Sequence, residues 1–211
     1  MKQKAHAHHF ESYDQEVSSG KLGVWIFLCT EILMFGGLFV GYVLYHNQYP
    51  EVFKAGAQFL DWKMGGLNTV VLLVSSFTMA LSTYYAQKNQ IKRCKTMLLT
   101  TIVCGFCFMF IKYLEYSHKM DVGIFPGKFF SYQGEGFVEG LPLYFSFYYL
   151  MTGLHASHVI IGLFLIGWMY YKAIRLEVGS EHYAPLEFVG LFWHLVDLIW
   201  IYLFPLLYLV E

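Results

Sequence analysis

The segment YLMTGLHASHVIIG sets His155 and His158 three positions apart in a run that is otherwise apolar or small. On a helix that spacing brings both rings to one face. A shared face of imidazoles suits either metal or haem ligation or a hydrogen-bonded interior. The other ionisable groups inside apolar runs are Glu31, Glu187, His194 and Asp197, with Lys112 and Glu115 near the end of a further run. A charged carboxylate at mid-bilayer costs about 2.5–3.5 kcal/mol on insertion scales. Glu31 is therefore expected to face protein and to find a partner among the few polar groups within reach, His155 and His158 first. Glu187, His194 and Asp197 recur at intervals of seven and three, which draws a polar line along one face of the last apolar segment. Such a line fits a structural network or a proton path.

A haem held between membrane helices needs facing histidine pairs, and a carboxylate-bridged di-iron centre needs several Glu with Glu-x-x-His repeats. Neither set is present, so hydrogen-bonded histidines are favoured over ligands, and no metal, cofactor-binding or catalytic residue is assigned. Cys104 and Cys107 form a CxxC, but Phe108 stands where haem attachment requires His. They are expected to act as small packing residues. The cluster His6, His8 and His9 lies in a polar tail that ordinarily stays solvated.

The elements that position these groups follow from composition. With 57% hydrophobic, 20% aromatic and 14% charged residues, the 211-residue chain is far from a soluble domain and implies no nucleic-acid partner. Five segments, roughly 22–45, 64–87, 96–116, 143–171 and 186–210, reach the length of about 20 mostly apolar residues that a membrane-spanning helix needs. The expected fold is an all-α membrane protein, a bundle of five transmembrane helices. A polar cytoplasmic tail, 1–20, precedes a single domain, 21–211. The tail has no apolar run ahead of a cleavage site, so the first span is expected to direct insertion.

Sidedness follows from Lys and Arg in the connections. One side holds Lys2, Lys4, Lys21, Lys88, Lys92, Arg93, Lys95, Lys172 and Arg175; the other holds Lys54, Lys63, Lys119 and Lys128. Nine against four puts the N-terminus in the cytoplasm and the C-terminus outside, with a bacterial inner membrane as the expected location. The longest connection, KMDVGIFPGKFFSYQGEGFVEGLP, lies outside and reads as an ordered loop or docking surface. Small residues at four-residue spacing, Gly37 with Gly41 and Ser76 with Ala80, are expected to let helices approach closely. Trp25, Tyr45, Tyr84, Tyr85, Tyr144, Tyr170 and Tyr171 fall near span ends, as in an aromatic belt.

Four motifs agree with one family in order and spacing: GVWIFLCTEILMFGGLF, LNTVVLLVSSFTMA, TGLHASHVIIG and FWHLVDLIWIYLF. The chain resembles subunit III of haem-copper terminal oxidases, from Lys21 to Tyr208, in a short form with five helices. The resemblance implies an accessory subunit of a cytochrome c oxidase with no haem or copper of its own. Those cofactors are expected in partner subunits. It also implies packing against the catalytic subunit I, with subunit II in the same complex, and contact with phospholipids; a larger respiratory supercomplex is compatible with it. His155 and His158 match the family's two histidines, Glu31 its carbodiimide-reactive glutamate, and Trp193, His194 and Asp197 its Trp-His-x-x-Asp element. Arg175 and His182 fall in the inner loop that borders the family's lipid cleft. With Glu187, these make up the expected buried polar and lipid-contacting set. Ala156 in place of the usual Gly, Lys112 ahead of the LEY element and the long outer loop depart from the pattern. Quinol-type chains often carry Asp at the position of Glu31, so the Glu favours cytochrome c over a quinol as donor. The rival from another class is a free-standing proton channel or small transporter, which more often shows internal repeats or interrupted helices.

Overall fold

The computed structural model describes residues 13–179 and 182–210. In chain order the helices are α1 (Tyr13–Gln48), α2 (Pro50–Gln58), α3 (Trp62–Gln87), α4 (Ile91–Asp121), α5 (Leu141–Ile174) and α6 (Ala184–Tyr208), with a 3-10 turn at Gly127–Phe129. All but α2 are long and apolar enough to cross a membrane, so the protein is an all-α bundle with five membrane-spanning helices. Two spans are markedly longer than hydropathy alone gives. Helix α1 starts at Tyr13, so residues 13–20, read as tail, continue the first span. Helix α4 runs on through Asp121 and carries Lys112, Glu115 and Lys119 with it.

Local chemistry sets the boundaries. Asp61 caps α3, its carboxylate accepting the backbone N–H groups of Lys63 at 2.8 Å and Met64 at 3.4 Å. Pro50, Pro142 and Pro185 occupy the first turns of α2, α5 and α6, where an amide hydrogen has no helical partner to lose. Asn89 (φ 58°) turns the chain between α3 and α4, and Leu176 (φ 60°) turns it after α5. Asn tolerates that left-handed conformation far better than Leu does.

Helices α3, α4, α5 and α6 form a mutually packed core, in which the α3–α4 contact is the most extensive. Close approach is made at Gly105 and Gly162. A methyl group added at Gly162 would lie 2.6 Å from the Trp193 ring, and one at Gly105 would lie 2.6 Å from Leu163 and 3.2 Å from Trp193. The expected spacer Gly37 makes no such contact, since space around it is open. Helix α1 lies outside this core and touches only α2, α5 and α6 among the described elements. Its buried apolar positions are Leu28, Phe35 and Tyr42, a seven-residue repeat that makes one narrow seam. The short α2, not anticipated from hydropathy, buries Val52, Phe53, Gly56 and Ala57 and braces the C-terminal end of α1 against Tyr144 of α5. Tyr144 is thus a core residue, 0% exposed, with its hydroxyl donating to the Leu207 carbonyl at 2.7 Å, and it does not join the surface belt. Trp25, Tyr45, Tyr84 and Tyr171 are exposed at span ends.

Candidate functional site

His155 and His158 diverge. Three residues on an α-helix leave about 60° between side chains, and here that angle separates two environments. His158 reaches across to α1, where its Nε2 lies 2.8 Å from Glu31 Oε2. Its Nδ1 lies 2.8 Å from the Leu154 carbonyl, which only accepts, so Nδ1 carries a proton. One further proton must then sit between Nε2 and the carboxyl group, either on a neutral acid donating to imidazole or on an imidazolium facing a carboxylate. Phe35 packs edge-on to the ring at 5.4 Å and shields the pair. His155 instead turns into the core between Phe108 and Trp200, with ring centroids 5.6 and 5.4 Å away. It is 1% exposed, and neither ring nitrogen has a hydrogen-bond partner among the described residues.

The last helix is pinned to α3 by a row of polar contacts. The Trp193 indole N–H donates to Ser75 Oγ at 3.1 Å, His194 Nδ1 lies 2.8 Å from Ser76 Oγ, and the Trp200 indole N–H donates to Thr69 Oγ1 at 3.1 Å. Asp197, 3% exposed on the same helix, lies beside the Ser75 and Ser76 hydroxyls without a well-formed hydrogen bond to either. Glu187 is half-buried in the first turn of α6, where the helix N-terminus favours an acid. It does not bond His194 or Asp197, so the expected polar line is a set of separate contacts.

The loop between α5 and α6 begins at Arg175, which is exposed with its guanidinium 4.6 Å above the Tyr171 ring. His182 lines a crevice of about 310 Å³ with Glu16, Lys172, Glu177 and Phe188. Cys104 is half-buried, whereas Cys107 is exposed on the apolar outer surface of α4 and is not a packing residue. The cluster His6, His8 and His9 lies outside the described residues.

The largest polar assembly is one that hydropathy hides. Lys112, Glu115 and Lys119 lie on one face of α4 at intervals of three and four, and each is 4–5% exposed. Glu115 accepts from Lys112 Nζ at 2.9 Å, Lys119 Nζ at 2.8 Å, Tyr148 Oη at 2.9 Å and Tyr208 Oη at 2.7 Å. Lys112 also donates to Tyr208 at 2.7 Å and lies 4.9 Å from the Trp200 ring centroid. The cluster joins the C-terminal part of α4, the N-terminal part of α5 and the C-terminal end of α6. Its signal was the spacing of 112, 115 and 119, which keeps alternating charges on one helical face.

Among the described residues, no three His, Cys, Asp or Glu side chains converge as a metal site would need. The arrangement holds helices together. The split histidines make opposite predictions. His158→Phe strips Glu31 of its partner at membrane depth and is expected to cost about 1–3 kcal/mol. His155→Phe removes a ring that makes no hydrogen bond here and is expected to be close to neutral. Thermal denaturation of the purified protein in detergent compares them; equal losses would show that the two rings do the same work.

The family model for cytochrome c oxidase subunit III matches residues 5–211. A probable quinol oxidase subunit 3 of Staphylococcus haemolyticus is 27% identical over 203 residues, covering 95% of this chain and 93% of that one. The corresponding protein of Staphylococcus saprophyticus is 25% identical over 207 residues, covering 97% and 96%. With the five-helix bundle and a family match along nearly its whole length, the chain belongs to the cytochrome c oxidase subunit III family.

Proposed function

We propose that this chain is the accessory third subunit of an oxygen-reducing, proton-translocating haem-copper oxidase in a bacterial inner membrane. It packs against the catalytic subunit I, with subunit II in the same complex, and carries out no redox step itself. Haem and copper belong to those partners. The observation that carries this reading is where the polar side chains go: Glu115, Glu31 and the α3–α6 contacts bind helix to helix instead of converging on a ligand set. A bundle so held presents rigid faces to a partner and keeps that partner's surface and bound lipid in one arrangement. On this reading Arg175, His182 and Glu187 meet lipid head groups and water at the inner surface, while the half-buried Glu31–His158 pair faces the cleft beside α1.

Two donors fit the chain. Glu31 favours cytochrome c, while the relatives named as quinol oxidase subunits favour a quinol. The donor binds partner subunits on this reading, so oxygen uptake by the purified complex with reduced cytochrome c or with a quinol separates them. A free-standing proton channel would purify without a haem-bearing partner.

An oxidase depleted of this chain is expected to keep its haem spectrum and most of its initial rate, then lose activity over successive turnovers and take up protons more slowly near neutral pH. Oxygen consumption followed against time reads this directly. Undiminished long-term turnover would remove the protective role, and immediate loss of the haem spectrum would show a part in cofactor retention.

Orientation follows from the same charges. Lys119 is spent in the buried cluster, so the Lys and Arg counts in the connections become nine against three, with the N-terminus still inside. Reporter fusions at Asn89 and after Glu211 are expected to report cytoplasm and exterior respectively. The same compartment at both sites would refute the topology.

A further inference from the structure

A groove of about 640 Å³ runs between α4 and α5 on the face away from α1. Ile102, Phe106 and Met109 form one wall, and Ile160, Phe164 and Trp168 the other; its surface is almost wholly apolar. Gly167 leaves its floor open, since a methyl group added there would meet nothing within 4 Å. Apolar surface toward the membrane is ordinary. What distinguishes this groove is what lies at one end.

Both walls continue into a cation. On α5 the stripe Ile160, Phe164, Trp168, Lys172 advances four residues at a time, and the Lys172 ammonium lies 4.4 Å from the centroid of the Trp168 ring. On α4 the stripe Lys95, Ile102, Met109 advances by seven, so Lys95 lies two turns beyond the groove on the same face. Neither lysine is in an ion pair among the described residues. The two meet the same membrane surface, because α4 starts there and α5 ends there. From Lys172 to Ile160 is twelve residues. At about 1.5 Å per residue that is about 18 Å, close to the half-thickness of the hydrocarbon core, about 15 Å.

We infer that this groove seats one acyl chain of an anionic phospholipid of the inner leaflet, with its phosphate between Lys95 and Lys172 and its glycerol region against Trp168. A lysine near the surface attracts an anionic head group, an indole sits at the interface, and the groove takes a chain of one leaflet's depth. A zwitterionic lipid matches the groove equally and the two cations poorly. The site rests on the chain spanning a membrane with the N-terminus inside, whether or not the oxidase reading holds.

The test uses the complex purified through this chain and reconstituted in nanodiscs. The probe is phosphatidylglycerol with a photoreactive diazirine midway along one acyl chain, and phosphatidylcholine with the same chain is the comparison. Peptides containing Phe106 and Phe164 are expected to be labelled by the phosphatidylglycerol probe in preference. Labelling should fall about fivefold for each of Lys95→Gln and Lys172→Gln. Gly167→Trp, which fills the floor and leaves both charges, should abolish it. Retention of each variant in the purified complex shows that it has folded. Equal labelling by the two lipids would overturn the proposal, as would labelling unchanged by Gly167→Trp. Absence of labelling in the intact complex would also overturn it, since a partner helix would then hold the groove.

Discussion

Hydrocarbon offers no solvent to a polar side chain, so a charge carried into the membrane is costly unless another group from within the protein meets it. Lys112, Glu115, Lys119 and Glu31 are met in this way, though the ring nitrogens of His155 have no such partner among the described residues. That constraint organises this bundle. Lys112, Glu115 and Lys119 would each be costly alone at the depth they occupy. Together with Tyr148 and Tyr208 they leave one carboxylate with four donors and tie three helices at one end of the bundle. Nearer the middle, smaller pairs repeat the principle between α3 and α6 through serine and threonine hydroxyls. Gly105 and Gly162 then let the backbones close around Trp193, which brings its indole to Ser75.

The same constraint explains how α1 differs from the rest. It has one narrow apolar seam, is tied to α5 at mid-length by Glu31 with His158, and leaves most of its apolar surface exposed. A helix so lightly held depends on that contact and on the α2 brace for its angle to the core. The proton held between Glu31 and His158 therefore sits at the joint between the core and its outlying helix.

Much of this was legible in the residues. Five spans and the pairing of Glu31 with a histidine follow from length and the cost of an unpartnered acid. What escaped did so for physical reasons. Hydropathy averages over a window, so it ended the third span near Tyr116 and left the Lys112–Glu115–Lys119 face at its margin, although three residues one turn apart form a unit that can be buried whole. Tyr144 is as suited to a core with a carbonyl in reach as to a membrane surface, and only the approach of Leu207 decides. Gly37 and Gly105 look alike in one dimension; which of them meets a neighbour depends on the rotation of its helix. The divergence of His155 and His158 turns on about 60°, an angle that a spacing of three leaves open between one site and two.

The central claim is that the buried charges on α4 act as one mutually satisfied unit. Its most direct test is the stability of the purified protein after Glu115→Gln alone and after Lys112→Met, Glu115→Leu and Lys119→Met together. Removing one partner leaves two ammonium groups facing each other in the core, and a loss of about 3–5 kcal/mol is expected, whereas removing all three charges should restore most of it. A triple variant as unstable as the single one, or a single variant that denatures like the parent, would contradict the account.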